Sequence, residues 1–136
     1  MRRYLLDTGS AGHLIYRRRG VAERVRETTQ RGHHVGIAMP VLGELFAGLE
    51  LSTTRERNEN RLRHGVSRLR IWPFDTRAAE EYGRIFATLR RIGRPMQQVD
   101  MQVAAIALCL GNCTVVTCDS DLFAVPGLAV ENWSNP

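Results

Sequence analysis

The chain has 136 residues, 43% of them hydrophobic and 24% charged, close to globular averages, which excludes a disordered or fibrous protein. That length suits one compact domain over residues 1–136, large enough to bury a core without disulfides. The net charge is +5 and all 19 of the Lys-plus-Arg total are arginines; guanidinium groups favour a polyanionic partner such as nucleic acid, although solvated helix faces account for the bias equally well. No apolar run approaches the roughly 18 residues of a spanning helix, and the N-terminus lacks a signal-peptide core, so a cytoplasmic protein without membrane association is expected.

In chain order, Tyr4 to Leu6 is a short apolar strand ending at Asp7, followed by a helical stretch closed by Gly32 and a second strand from His34 to Ala38. Pro40 opens a helix to about Leu51, with an apolar stripe at Val41, Leu42, Leu45, Phe46 and Leu49. Thr53 to Arg70 interleaves Glu and Arg at helical distances over a thin apolar line of Leu62, Val66 and Leu69, the pattern of a solvated or partner-facing helix. Ile71 to Phe74 reads as a strand, Asp75 or Thr76 as a cap, and Ala78 to Arg91 as a helix that gives way at Gly93 and Pro95. A helix from about Val99 to Leu110, a β-branched strand from Thr114 to Thr117 and a short strand from Leu128 to Val130 complete the chain. Alternating strands and helices imply a mainly parallel sheet with helices on both faces.

The chemistry is concentrated in acids. Asp7 and Asp119 fall at or just beyond the carboxyl ends of strands, the edge where ligands bind in open α/β sheets. Asp75 also follows a strand, but there a helix cap is needed. Helical projection from Val41 places Glu44 at the border of the apolar stripe, between Ala47 and Gly48, and so half-buried. Asp100 stands in the first turn of its helix on the face of Val103, Ala104 and Ala107, where a carboxylate needs a partner. Several carboxylates at close range repel one another, and a hard divalent cation such as Mg²⁺ or Mn²⁺ relieves that repulsion, bridges a phosphate and activates water. Phosphodiester hydrolysis is the natural reaction for such a set. The hydroxyls of Thr8 and Thr117, beside two of the acids, can orient ligands or close local turns. Cys109, Cys113 and Cys118 make a poor disulfide framework and lack paired zinc knuckles, so reduced, largely buried thiols are expected.

These segments resemble, in order and spacing over essentially the whole chain, the PIN-domain toxin ribonucleases called VapC. The matching stretches are Tyr4-Leu-Leu-Asp-Thr8, Val41-Leu-Gly-Glu-Leu45, Gly93-Arg-Pro95 with Val99-Asp100 and Ala104 to Leu108, and Val115-Val-Thr-Cys-Asp119 with Phe123, Pro126 to Leu128 and Asn132-Trp133. The resemblance implies a PIN-like three-layer α/β/α sandwich, and catalytic and metal-holding roles for Asp7, Glu44, Asp100 and Asp119; the last motif, which varies in the family, offers both Asp119 and Asp121, of which Asp119 is the expected metal-holding acid and Asp121 a candidate helper at the metal. It implies dependence on Mg²⁺ or Mn²⁺, cleavage of a tRNA or ribosomal RNA, homodimerisation, and neutralisation by a cognate VapB-type antitoxin, in a higher assembly with it. Gly9 stands where the family often has Asn, so any contact of that side chain is missing here. Arg17, Arg18, Arg19, Arg90, Arg91 and Arg94 are the candidates for phosphate contacts.

Two other readings compete. Leu5-Leu-Asp-Thr-Gly-Ser10 also resembles the active-site loop of aspartic proteases, but those are almost entirely β, and two acids sharing a proton leave Glu44 and Asp100 unexplained. A catalytically silent PIN-like module would bind RNA or a protein through its arginines and the Thr53 to Arg70 helix.

Overall fold

A computed structural model describes residues Met1–Pro136. Five strands, β1 (Arg3–Leu6), β2 (His34–Ala38), β3 (Arg70–Trp72), β4 (Cys113–Val116) and β5 (Ala129–Glu131), form one sheet in the order β3-β2-β1-β4-β5. Every pairing is parallel, with Leu6 opposite both Ile37 and Val116. Six helices flank it: α1 (Thr8–Ile15), α2 (Val21–Gln30), α3 (Met39–Glu50), α4 (Arg55–Val66), α5 (Thr76–Arg91) and α6 (Gln98–Leu110). A short 3₁₀ turn, Ser120–Ala124, follows β4. This is a PIN-like α/β/α sandwich, and its helical content rules out the all-β aspartic protease alternative.

The central strand β1 is buried from Tyr4 onward, as a parallel strand covered on both faces must be. Leu5, Leu6, Ile37, Val115 and Val116 are sealed from solvent, each contributing about 1.5–3 kcal/mol by burial. On α6, Met101 and the run Val103 to Ala107 are buried, so this helix lies within the core and carries Asp100 into it. The charged α4 is anchored by one fully buried side chain, Leu62. Its Gly65 passes so close to α1 that a β-carbon would lie 2.8 Å from Ile15 Cγ1. Gly36 permits the β2–β3 approach, since a β-carbon there would sit 2.2 Å from the Arg70 carbonyl oxygen.

Three expectations are corrected. The single helix between β1 and β2 is two helices, broken where Arg17 (φ 54°), Arg19 (φ 57°) and Gly20 (φ 73°) take left-handed conformations. The Asn135 side chain packs on Gly20 and the Asn135 N–H donates to the Arg19 carbonyl at 2.7 Å, so the C-terminal tail holds the break in place. Cys118 is exposed rather than buried, and Cys109 and Cys113 are only partly covered; all three are free thiols. Burial pushes the Cys113 thiol up to about 12, against a weaker opposing effect of Arg3, which leaves it unreactive. Glu44 is exposed, because α3 packs through Val41, Leu45 and Leu49 and turns Gly43, Glu44, Ala47 and Gly48 outward, with nothing packed over the two glycines.

Candidate active site

Asp7 follows β1 directly and caps α1: its Oδ1 accepts the Ser10 N–H at 2.9 Å. Its other oxygen, Oδ2, accepts a short hydrogen bond from Thr117 Oγ1. Thr117 is fully buried and continues β4, and the same hydroxyl oxygen accepts the Asp119 N–H at 2.9 Å. One threonine therefore spans the ends of β1 and β4 and fixes the first and fourth acids together. Asp119 caps the 3₁₀ turn through the Asp121 N–H, at 3.0 Å. Both aspartates that ended strands in the sequence thus lie on adjacent strands at the carboxyl edge of the sheet.

Glu44 and Asp100 arrive from helices. Thr8 Oγ1 donates to Glu44 Oε1 at 2.5 Å, tying α3 to the start of α1 beside Asp7. Asp100, in the first turn of α6, is half-buried. Its carboxyl is pushed up to about 6, first by burial and then by the charges of Asp7, Asp119, Glu44 and Asp121 in that order. Asp100 thus feels the charges of all four other acids. Asp75 stands apart as a helix cap, accepting the Ala78 N–H at 2.9 Å.

The six arginines divide. Arg94 NH2 lies 3.7 Å from Asp121 Oδ1, on the rim of the acidic cluster. Arg90 and Arg91 end α5, the helix whose turn leads into α6. Arg17, Arg18 and Arg19 follow the far end of α1, roughly 12 Å along its axis from Asp7. Arg18 folds back towards Gly12 and lies over the Tyr16 ring, 5.6 Å from its centre. The sequence reading missed His13. Burial, and then Arg18 and Arg19, hold its imidazole below the usual range, with Asp7 opposing, and its buried Nδ1 has no hydrogen-bond partner.

Oxygen-rich acids held in place by backbone and threonine donors are suited to a hard divalent cation, which would offset both the burial of Asp100 and the like charges around it, the two causes of its raised carboxyl in that order. No three of these side chains form a ready-made ligand cluster, so water or a small side-chain shift would complete a coordination shell. A cavity of about 710 Å³ lies elsewhere, between α1, α2 and α4; its apolar lining of Leu14, Ile15 and Val25 sits beside Arg26, Arg61 and Arg68.

A parallel α/β/α sandwich with acids from four elements gathered at the carboxyl edge defines a PIN-like protein with an acidic site. The PIN domain family profile matches residues 4–128. A curated relative, the tRNA(fMet)-specific endonuclease VapC of Salmonella typhimurium, is 31% identical over 134 residues, covering 98% of this chain and 99% of the relative. The crystal structure of DNA-bound VapBC from Salmonella typhimurium superposes with a TM-score of 0.88 at 32% identity, covering 98% of this chain and 99% of that one. VapBC2 from Rickettsia felis, bound to a promoter DNA fragment, gives 0.89 at 27% identity, covering 97% and 99%. The chain belongs to the PIN-domain family and, within it, to the VapC ribonucleases.

Proposed function

We propose that this chain is the toxin of a toxin–antitoxin pair, a divalent-metal-dependent endoribonuclease whose metal is held by Asp7, Asp100, Glu44 and Asp119, with Asp121 assisting. The observation that carries this reading is the convergence of acids from the β1 end, α3 and the β4 end on Asp100 of α6, whose proton affinity is raised first by burial and then by their charges. A bound Mg²⁺ or Mn²⁺ supplies polarisation of the phosphodiester and a lowered pKa for the attacking water. The protein's own residues do the positioning. Thr117 and the Ser10 N–H fix both oxygens of Asp7, Thr8 orients Glu44, and the first turn of α6, beside the buried Met101, holds Asp100 half-buried, where water is partly excluded.

The substrate class is RNA, specifically a structured RNA such as a tRNA or ribosomal RNA; the Salmonella relative is a tRNA(fMet)-specific endonuclease, which supports the former. The partners are a VapB-type antitoxin, since the structural neighbours are VapBC complexes, and a second copy of this chain. The cavity between α1, α2 and α4, with an apolar floor and arginines at its rim, suits an amphipathic acidic segment of the antitoxin. The test is incubation of purified, partner-free protein with total RNA in Mg²⁺ or Mn²⁺. Discrete cuts that disappear in EDTA support the reading. Intact RNA with a folded, metal-loaded protein contradicts it and favours a silent binding module.

A further inference from the structure

A divalent ion at the acids would offset their repulsion of the scissile phosphate, but the phosphates on either side of it pass the rim of the acidic cluster, where a cation of the protein would help to seat them. Among the six candidate arginines, Arg94 is the one seated on the cluster. Its guanidinium lies 3.7 Å from Asp121 Oδ1, with the two side chains 52% and 50% exposed. The backbone beneath Arg94 is fixed: Gly93 adopts φ 70°, its N–H donates to the Arg90 carbonyl at 3.1 Å, the Arg94 N–H donates to the Leu89 carbonyl at 2.8 Å, and Pro95 follows. Asp121 is fixed as well, through its N–H on Asp119 Oδ1. The pair therefore joins the turn leading into Asp100 to the turn that begins at Asp119.

On the ribonuclease reading, we propose that Arg94 binds a backbone phosphate of the RNA at the rim of the acidic cluster, and that Asp121 is the positioning residue that holds it there until RNA displaces the carboxylate. The separation is long for an ion pair and no hydrogen bond joins the two groups, so the contact is a weak, solvated one that a phosphate can outcompete. A phosphodiester offers a guanidinium two oxygens in a planar, bidentate arrangement. The exchange keeps the guanidinium paired in both states, so it is neither stranded without RNA nor left to disperse into solvent.

The test is binding of a short, fluorescein-labelled, mixed-sequence single-stranded RNA in EDTA, followed by anisotropy at several salt concentrations. Wild type, Arg94→Gln, Asp121→Asn and the double variant are compared, each checked for folding by circular dichroism. Arg94→Gln is expected to weaken binding about five- to tenfold. It is also expected to make the slope of log K against log salt shallower by about 0.7, the loss of one single-strand phosphate contact. Arg94→Lys should restore that slope while recovering only part of the affinity. Asp121→Asn should tighten binding when Arg94 is present and have a clearly smaller effect in the Arg94→Gln background. Unchanged binding and slope in Arg94→Gln would overturn the proposal, as would equal tightening by Asp121→Asn in both backgrounds, the mark of a general charge effect. Metal-dependent cleavage by wild type that persists beside either of those results refutes the role of Arg94 alone, whereas absence of all cleavage refutes the ribonuclease reading.

Discussion

Replacing Asp100 by Asn should stabilise the metal-free protein while destroying its activity. The Asp100 carboxyl rises from an ordinary 3.8 to about 6 on folding, which would be worth about 3 kcal/mol for a fully buried group. Asp100 is only half-buried, and solvent screening reduces this to about 1–2 kcal/mol. Removing an anion from the first turn of α6 gives back about 0.3–1 kcal/mol of helix-dipole stabilisation. The net gain at neutral pH is about 1 kcal/mol, or a rise in Tm of about 3 °C. The sign follows from proton binding: between pH 3.8 and about 6 the folded state holds a proton that the unfolded state has lost, so wild-type stability falls as pH rises through that window and stays low above it. The advantage of Asn is therefore full at neutral pH and absent below about pH 4. Thermal melts in EDTA across this range, followed by melts with excess Mg²⁺, measure both halves. Metal should raise the Tm of wild type and do so less for Asp100→Asn. A lower Tm for the variant at neutral pH, or a gain independent of pH, would refute the electrostatic account and mark Asp100 as a structural residue.

Thr117→Val removes the donor to Asp7 and the acceptor for the Asp119 N–H, so stability should fall by about 1–3 kcal/mol and cleavage should slow although no carboxylate is lost; an unchanged melt would contradict the bridging role. Asp7→Asn retains an oxygen for the Ser10 cap but turns its NH2 on Thr117 Oγ1, which must then accept rather than donate, so stability should fall by no more than about 1–2 kcal/mol while cleavage disappears, measured by melts and RNA gels on one preparation. Gly36→Ala places a methyl group against the Arg70 carbonyl and should cost about 1–3 kcal/mol by forcing β2 from β3, read from urea unfolding midpoints; a neutral effect would mean that the β3 edge is free to shift.

Asp7 and Asp119 were legible in the sequence because each ends a short apolar run, and parallel strands deliver such ends to one edge. Asp100 was legible because it shares a helix face with Val103, Ala104 and Ala107, all buried, which leaves the acid half-buried. Glu44 was placed correctly in direction and wrongly in depth. Angular position on a helix gives a bearing, but exposure depends on what packs over that bearing, and nothing covers Gly43 and Gly48 on the Glu44 face of α3. The break at Arg17 to Gly20 left only a glycine as a signal, because arginine ordinarily favours helix and its left-handed conformation here is held by the distant Asn135. The joining of two acids by Thr117 was equally hidden, since a threonine hydroxyl finds its partner only when β1 and β4 meet across more than a hundred residues. The Arg94–Asp121 pair depends on the same kind of tertiary meeting, between the turn before α6 and the 3₁₀ turn after β4.

The most direct test of the acidic site is Mn²⁺-supported cleavage of total RNA by wild type, Asp7→Asn and Asp100→Asn, with RNA binding of all three measured in EDTA. The account predicts discrete cuts by wild type only, with both variants folded and still able to bind RNA. Cleavage that survives in either variant would place the reaction outside this cluster of carboxylates.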